Sequence, residues 1–102
     1  MKYKAIREMN AQGIYTPEQI NNELDRVWVK YNPNETRTVD KETTELMVAE
    51  AVNSLGKIGD GQVFVKSDFE KVYKKFDSWN AQKIARTFVH GMITAMVAKD
   101  DL

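Results

Sequence analysis

Two stretches, Leu24-Asp25-Arg26-Val27-Trp28-Val29-Lys30-Tyr31-Asn32 and Phe69-Glu70-Lys71-Val72-Tyr73-Lys74-Lys75-Phe76-Asp77, decide the reading of this chain. Large apolar residues stand at the same offsets in both. Leu24, Trp28 and Tyr31 in the first copy and Phe69, Tyr73 and Phe76 in the second are spaced as on one face of a helix. Each stripe runs into a polar residue, Asn32 or Asp77, and then into an interruption. A β-branched residue follows at the same distance in each copy, Val39 after Asn32 and Ile84 after Asp77. Further apolar residues come at matched offsets, Met47 with Val48 and Met92 with Ile93. Helix, loop, helix, written twice, predicts an all-α domain.

Working outward, the first helix has strong local start signals. Thr16 suits the N-cap, Pro17 the first helical position and Gln19 the third, a T-x-x-Q capping box. Tyr15 and Ile20 are placed for a hydrophobic staple across it. The stripe then runs Ile20, Leu24, Trp28, Tyr31, and Asn32-Pro33-Asn34 stops it, because Pro33 disfavours helical geometry at the residue before it. Asp40 is expected to cap the next helix, which should carry Leu46, Met47, Ala49, Ala51 and Val52 and end at Gly56. Residues 56–67 contain Gly56, Gly59 and Gly61 and read as a linker. Ser67 with Glu70 predicts a second capping box. A last helix is expected over roughly Asn80–Lys99, with Ile84, Phe88, Met92, Ile93 and Met96 apolar. Tyr3, Ile6 and Met9 suggest a short amphipathic helix in an N-terminal extension, residues 1–15.

Composition narrows the function classes. The 102 residues suit a single domain with a modest core, 42% hydrophobic and 29% charged. Fifteen basic and fifteen acidic residues give zero formal net charge. With no basic cluster carrying interleaved aromatics, nucleic-acid binding is not expected. There is no cysteine, so disulfides and thiolate metal sites are excluded. No apolar run approaches a membrane span, and the charged start, Met1-Lys2-Tyr3-Lys4-Ala5-Ile6-Arg7-Glu8, lacks the apolar region of a secretion signal. A cytoplasmic or cytoskeletal location is the expectation.

The double pattern resembles the EF-hand family and covers about residues 17–98. In that family three apolar residues stand eight, four and one before the first loop position, as Leu24, Trp28 and Tyr31 stand before Asn32 and Phe69, Tyr73 and Phe76 before Asp77. Loop position eight is apolar there because its backbone pairs with the other loop in a short two-stranded link. Val39 and Ile84 hold that position here. The resemblance implies an EF-hand pair: a first hand over 17–55, the linker 56–67, and a second hand over 68–98. The two loop starts lie farther apart than in a compact calmodulin-like lobe, and the glycine-rich linker absorbs the excess. The same apolar stripes also suit a generic four-helix bundle.

The loops have lost most of the chemistry that the resemblance would bring. Calcium takes 6–8 oxygens, from loop positions 1, 3, 5, 9 and 12 and a backbone carbonyl at 7, with glycine at 6 for a left-handed backbone. In loop one, Asn32 to Thr43, Asn32, Asn34 and Thr36 stand at 1, 3 and 5, Thr38 would lend its carbonyl, and Asp40 stands at 9. Thr43 replaces the bidentate glutamate at 12 and Arg37 replaces the glycine. One usable carboxylate is too little to offset dehydrating a divalent cation. In loop two, Asp77 to Phe88, Trp79, Ala81 and Phe88 supply no oxygen at 3, 5 and 12, and Gln82 stands in place of glycine. Ser78 reads as a helix cap. No cofactor is expected, and calcium, if held at all, would bind weakly in loop one.

Partner binding is the function such a domain retains. An opened pair of this family exposes a groove that grips one face of an amphipathic helix. Met47, Met92 and Met96 lie in the helices after the loops, and flexible methionine suits irregular partners. The same residues are equally well read as ordinary core. Trp28 reads as packing. Trp79, at a ligand position, is either folded back to plug loop two or exposed for a partner. His90 is the only histidine, which leaves no histidine pair and favours a structural role. Gly91 beside it weakens a helix and would admit the close approach of another helix, from within the domain or from a partner. Lys71, Lys74-Lys75 and Asp25-Arg26 read as solvated faces. Without a phosphate-binding glycine loop, a cysteine nucleophile or a convergent carboxylate pair, enzyme activity is not expected. The leading expectation is a calcium-independent module that binds an amphipathic helix or a larger assembly, with homodimer formation left open. The alternatives are a calcium sensor or buffer with one weak site in loop one, and a closed structural subunit.

Overall fold

The first helix begins where the local signals ask for it. In the computed structural model, which describes residues 15–59, 61, 63–77 and 81–98, α1 spans Pro17–Tyr31 behind Thr16. The Thr16 hydroxyl accepts the Gln19 N–H at 3.1 Å and the Gln19 side chain accepts the Thr16 N–H at 2.9 Å, so both halves of the capping box form. Helix α2 spans Lys41–Ile58 and its Asp40 cap accepts the Thr43 N–H at 2.8 Å. Between them lies a two-residue strand β1, Thr38–Val39. Helix α3 spans Lys66–Phe76, strand β2 is Ile84–Ala85, and α4 spans Arg86–Ala98. The strands pair antiparallel, Thr38 opposite Ala85 and Val39 opposite Ile84. The two β-branched residues expected to link the loops thus face one another. The protein is mostly helical, and among the described residues no helix is long and apolar enough to cross a membrane.

One apolar core fills the space between the helices. Leu24 and Val27 of α1, Phe69 and Val72 of α3, and Val89 and Ile93 of α4 are at most 1% exposed. Burying side chains of this size contributes about 1.5–3 kcal/mol each before conformational entropy is set against it. Val27 and Val72 are central, whereas Trp28, Tyr31 and Phe76 are half-buried at the core's edge. The buried stripe of α1 is Ile20, Leu24, Val27, one position off the expected line through Trp28. The smaller valines face the neighbouring helices directly and the larger rings flank them.

Several boundaries differ from expectation, each through a long-range contact. Helix α2 passes through Gly56 and is capped at Gly59, whose N–H donates to the Leu55 carbonyl at 2.9 Å. A Cβ at Gly59 would lie 2.6 Å from the Tyr15 hydroxyl oxygen, so only glycine leaves room for that buried ring. The tyrosine in turn donates to the Leu55 carbonyl at 2.9 Å. The Ser67 capping box does not form. Helix α3 starts at Lys66 after Val65, which makes no side-chain cap, and Ser67 lies inside the helix. The linker before it is held from outside, with the Phe64 N–H donating to Asn53 Oδ1 at 2.7 Å and the Phe64 ring 5.7 Å from Phe69. Residues 81–83 are not helical, and Ile84 belongs to β2 rather than to the last helix. The expected N-terminal helix through Tyr3, Ile6 and Met9, the Ser78 cap, Trp79 and the end of the last helix at Lys99 lie outside the described residues.

Candidate functional site

The two loops sit back to back through the β1–β2 pair, and in each the first residue, Asn32 or Asp77, bonds to backbone groups of its own loop. In loop one Asn32 is 6% exposed, one of two buried polar residues among those described. Its Nδ2 donates to the Thr36 carbonyl at 2.8 Å, and its Oδ1 accepts the Thr36 N–H at 3.2 Å. A carbonyl can only accept and an amide N–H can only donate, so these partners settle which way the Asn32 amide points. The Thr36 hydroxyl lies 2.8 Å from both Asn32 Oδ1 and the Thr38 carbonyl and shares its single proton between them. It therefore ties together positions 1, 5 and 7, the oxygens a cation would need free. Asp40 is occupied as the cap of α2, where the Thr43 backbone N–H, helped by its side chain, lowers the carboxyl pKa. Asn34 is exposed and Thr43 half-buried. The left-handed residue of the loop is Glu35, with φ 54°, and not Arg37 at position 6.

Loop two is organised by a single carboxylate. Asp77 accepts the Tyr73 hydroxyl at 2.7 Å, the Ala81 N–H at 2.8 Å and the Gln82 N–H at 2.9 Å. The tyrosine bond is the main cause of its lowered pKa, and the two amides add to it. Burial, followed by the same bond to Asp77, raises the pKa of Tyr73. Gln82 takes the left-handed backbone, φ 58°, at the position where the family pattern has glycine. Among the described residues no three His, Cys, Asp or Glu side chains gather into a group that could hold a metal ion.

The residues singled out for a partner are sealed. Met47 and Met92 are 0% exposed and Met96 is 4% exposed. In this conformation they are core, packed among the four helices, and no open methionine groove exists among the described residues. Leu46 and Phe88, expected on apolar helix faces, are instead 53% and 43% exposed. Phe88 packs against Phe76 in a tilted arrangement, with ring centroids 5.9 Å apart. Phe76 also explains Gly91, where a Cβ would lie 2.8 Å from its ring. The close approach that the glycine admits is thus a side chain of α3 within the domain. His90 has a buried Nε2 with no hydrogen-bond partner.

The sequence reading missed an ionic cluster on the outer face of α1 and α2. Glu50 of α2 accepts from Arg26 at 2.5 Å, Lys30 at 3.0 Å and Tyr31 at 2.5 Å, all three on α1. These donors, the tyrosine first, pull its carboxyl pKa down to about 2. Asp25 likewise pairs with Arg86 of α4, whose guanidinium lies 5.8 Å from the Trp28 ring centroid. Asp25-Arg26 is therefore a bridging pair and not merely a solvated face. Donors at positions 26, 30 and 31 follow the helical repeat and were open to inspection, but nothing local announces their acceptor on α2. Comparison with protein-family models, with curated proteins and with solved structures finds no match.

Proposed function

We propose that the chain is an EF-hand-like pair serving as a calcium-independent protein-interaction module, which takes an amphipathic helix or sits within a larger assembly. Two helix–loop–helix units in register, joined through Val39 and Ile84, support the architectural part of this reading. The functional part is carried by one observation, that the Thr36 hydroxyl and the Asn32 amide bind the oxygens of loop one to each other. A cation would have to break these bonds and dehydrate itself for a loop with one usable carboxylate, already engaged as a helix cap. What remains for such a pair is its apolar interior. Met47, Met92 and Met96 are the adaptable surface it would offer once its helices part.

The test is a calcium titration of the metal-free protein followed by backbone amide NMR to millimolar calcium. The expected result is an unchanged spectrum from a folded protein. Shifts confined to residues 32–43 and the first turn of α2 would overturn the reading. The alternative, a weak calcium sensor or buffer using Asn32, Asn34, Thr36, Thr38 and Asp40, would then take its place.

A further inference from the structure

Parting α1 from α2 requires breaking whatever holds their outer faces together, and one residue stands at that seam. Arg26 stands one turn before the neighbours Lys30 and Tyr31 on α1, and all three donate to the single carboxylate of Glu50. Glu50 lies one turn beyond Met47 on α2. Its side chain keeps 23% of its surface exposed, so solvent reaches the cluster, whereas Met47 is 0% exposed. We propose that the Glu50 carboxylate is a latch that keeps α1 closed on α2 and thereby masks Met47, an autoinhibitory contact between the first two helices. It rests on the interaction-module reading for its purpose, though the latch itself can be measured without any partner or metal. The other interhelical ion pairs lie elsewhere. Lys41–Glu70 and Lys66–Glu45 join α2 to α3, and Asp25–Arg86 joins α1 to α4, so among these described pairs none crosses the α1–α2 seam.

The experiment is oxidation of the full chain by dilute hydrogen peroxide, with the sulfoxide at each methionine followed by peptide mass spectrometry. Three charge-assisted donors on a partly exposed carboxylate are worth about a tenfold shift in a local opening equilibrium. Glu50→Gln is therefore expected to speed oxidation of Met47 about tenfold while changing that of Met96, in α4, less than twofold. The control Glu45→Gln removes from the same helix a charge that is paired with Lys66 of α3, and should leave Met47 unchanged. Equal acceleration at Met47 and Met96 would mean that Glu50 only supports general stability, and no acceleration would mean that it holds nothing shut. Either result overturns the latch and leaves the calcium-independent reading standing. Should Glu50→Gln not fold, Tyr31→Phe in 1 M sodium chloride removes the neutral donor and screens the cations, with the same expected pattern and the same refuting outcomes.

Discussion

Asn32→Asp separates a loop closed on itself from a loop awaiting a cation. The change adds a second carboxylate at a ligand position of loop one, beside Asp40, so a calcium site would gain affinity by it. In the structure the substituted atom is Nδ2, which donates to the Thr36 carbonyl at 2.8 Å from a side chain only 6% exposed. A carboxylate oxygen there faces another acceptor. Losing the hydrogen bond costs about 1 kcal/mol, and leaving a buried charge against a carbonyl costs a further 1–3 kcal/mol or so. The surviving bonds from the Thr36 N–H and hydroxyl become charge-assisted and return about 1 kcal/mol. The net expectation is a loss of about 2 kcal/mol at pH 7. That corresponds to a fall of roughly 8–16 °C in Tm, or about 1 M in urea midpoint. Burial and the facing carbonyl raise the new carboxyl above its unfolded pKa of about 3.9. The loss is then full above the raised folded value and fades as pH falls toward 3.9, where a protonated acid can again donate to Thr36. Urea melts at pH 7 and pH 5, with and without millimolar calcium, measure all of this. An unchanged midpoint at pH 7, or a large recovery with calcium, would refute the argument.

Four further outcomes are expected. Glu50 has its pKa depressed from 4.5 to about 2, so its contribution is present above pH 4.5 and lost as pH falls toward 2. Acid titration of stability should therefore be steeper in the wild type than in Glu50→Gln, by about 1 kcal/mol across that window after allowing for solvent screening. Gly59→Ala places a Cβ 2.6 Å from the Tyr15 hydroxyl oxygen and should displace that ring from the Leu55 carbonyl, lowering stability by about 1–2 kcal/mol in thermal melts. Gln82→Gly relieves a left-handed backbone at φ 58° while keeping the N–H bond to Asp77, and should raise stability by about 0.5–1 kcal/mol in the same assay. Met92→Ala empties a site that is 0% exposed and should cost about 2–5 kcal/mol, whereas Met92→Leu should cost less than about 1.5 kcal/mol, as read by urea denaturation.

The amino-acid sequence determined what depends on neighbours along the chain. Thr16, Pro17 and Gln19 begin α1, and Asp40 begins α2, because a cap bonds to amides two or three residues away and owes nothing to the rest of the fold. The repeated stripes determined that helices would come in two matched pairs, and the scarcity of glycine and of carboxylates at ligand positions in the loops was plain from position alone. Tertiary structure decided the rest. Helix α3 starts at Lys66 rather than behind a Ser67 cap, in a chain already held by Asn53 and Phe69. Gly59 serves Tyr15, and Gly91 serves Phe76, across gaps in sequence that no local signal spans. The Glu50 cluster joins residues 19 to 24 positions apart, a pairing fixed only when α1 lies along α2. Whether the methionines form a groove or a core was equally undecided by pattern, since an open and a closed pair need the same apolar residues at the same spacing. Packing made them core, because four helices closing on one another bury more apolar surface than any of them can alone.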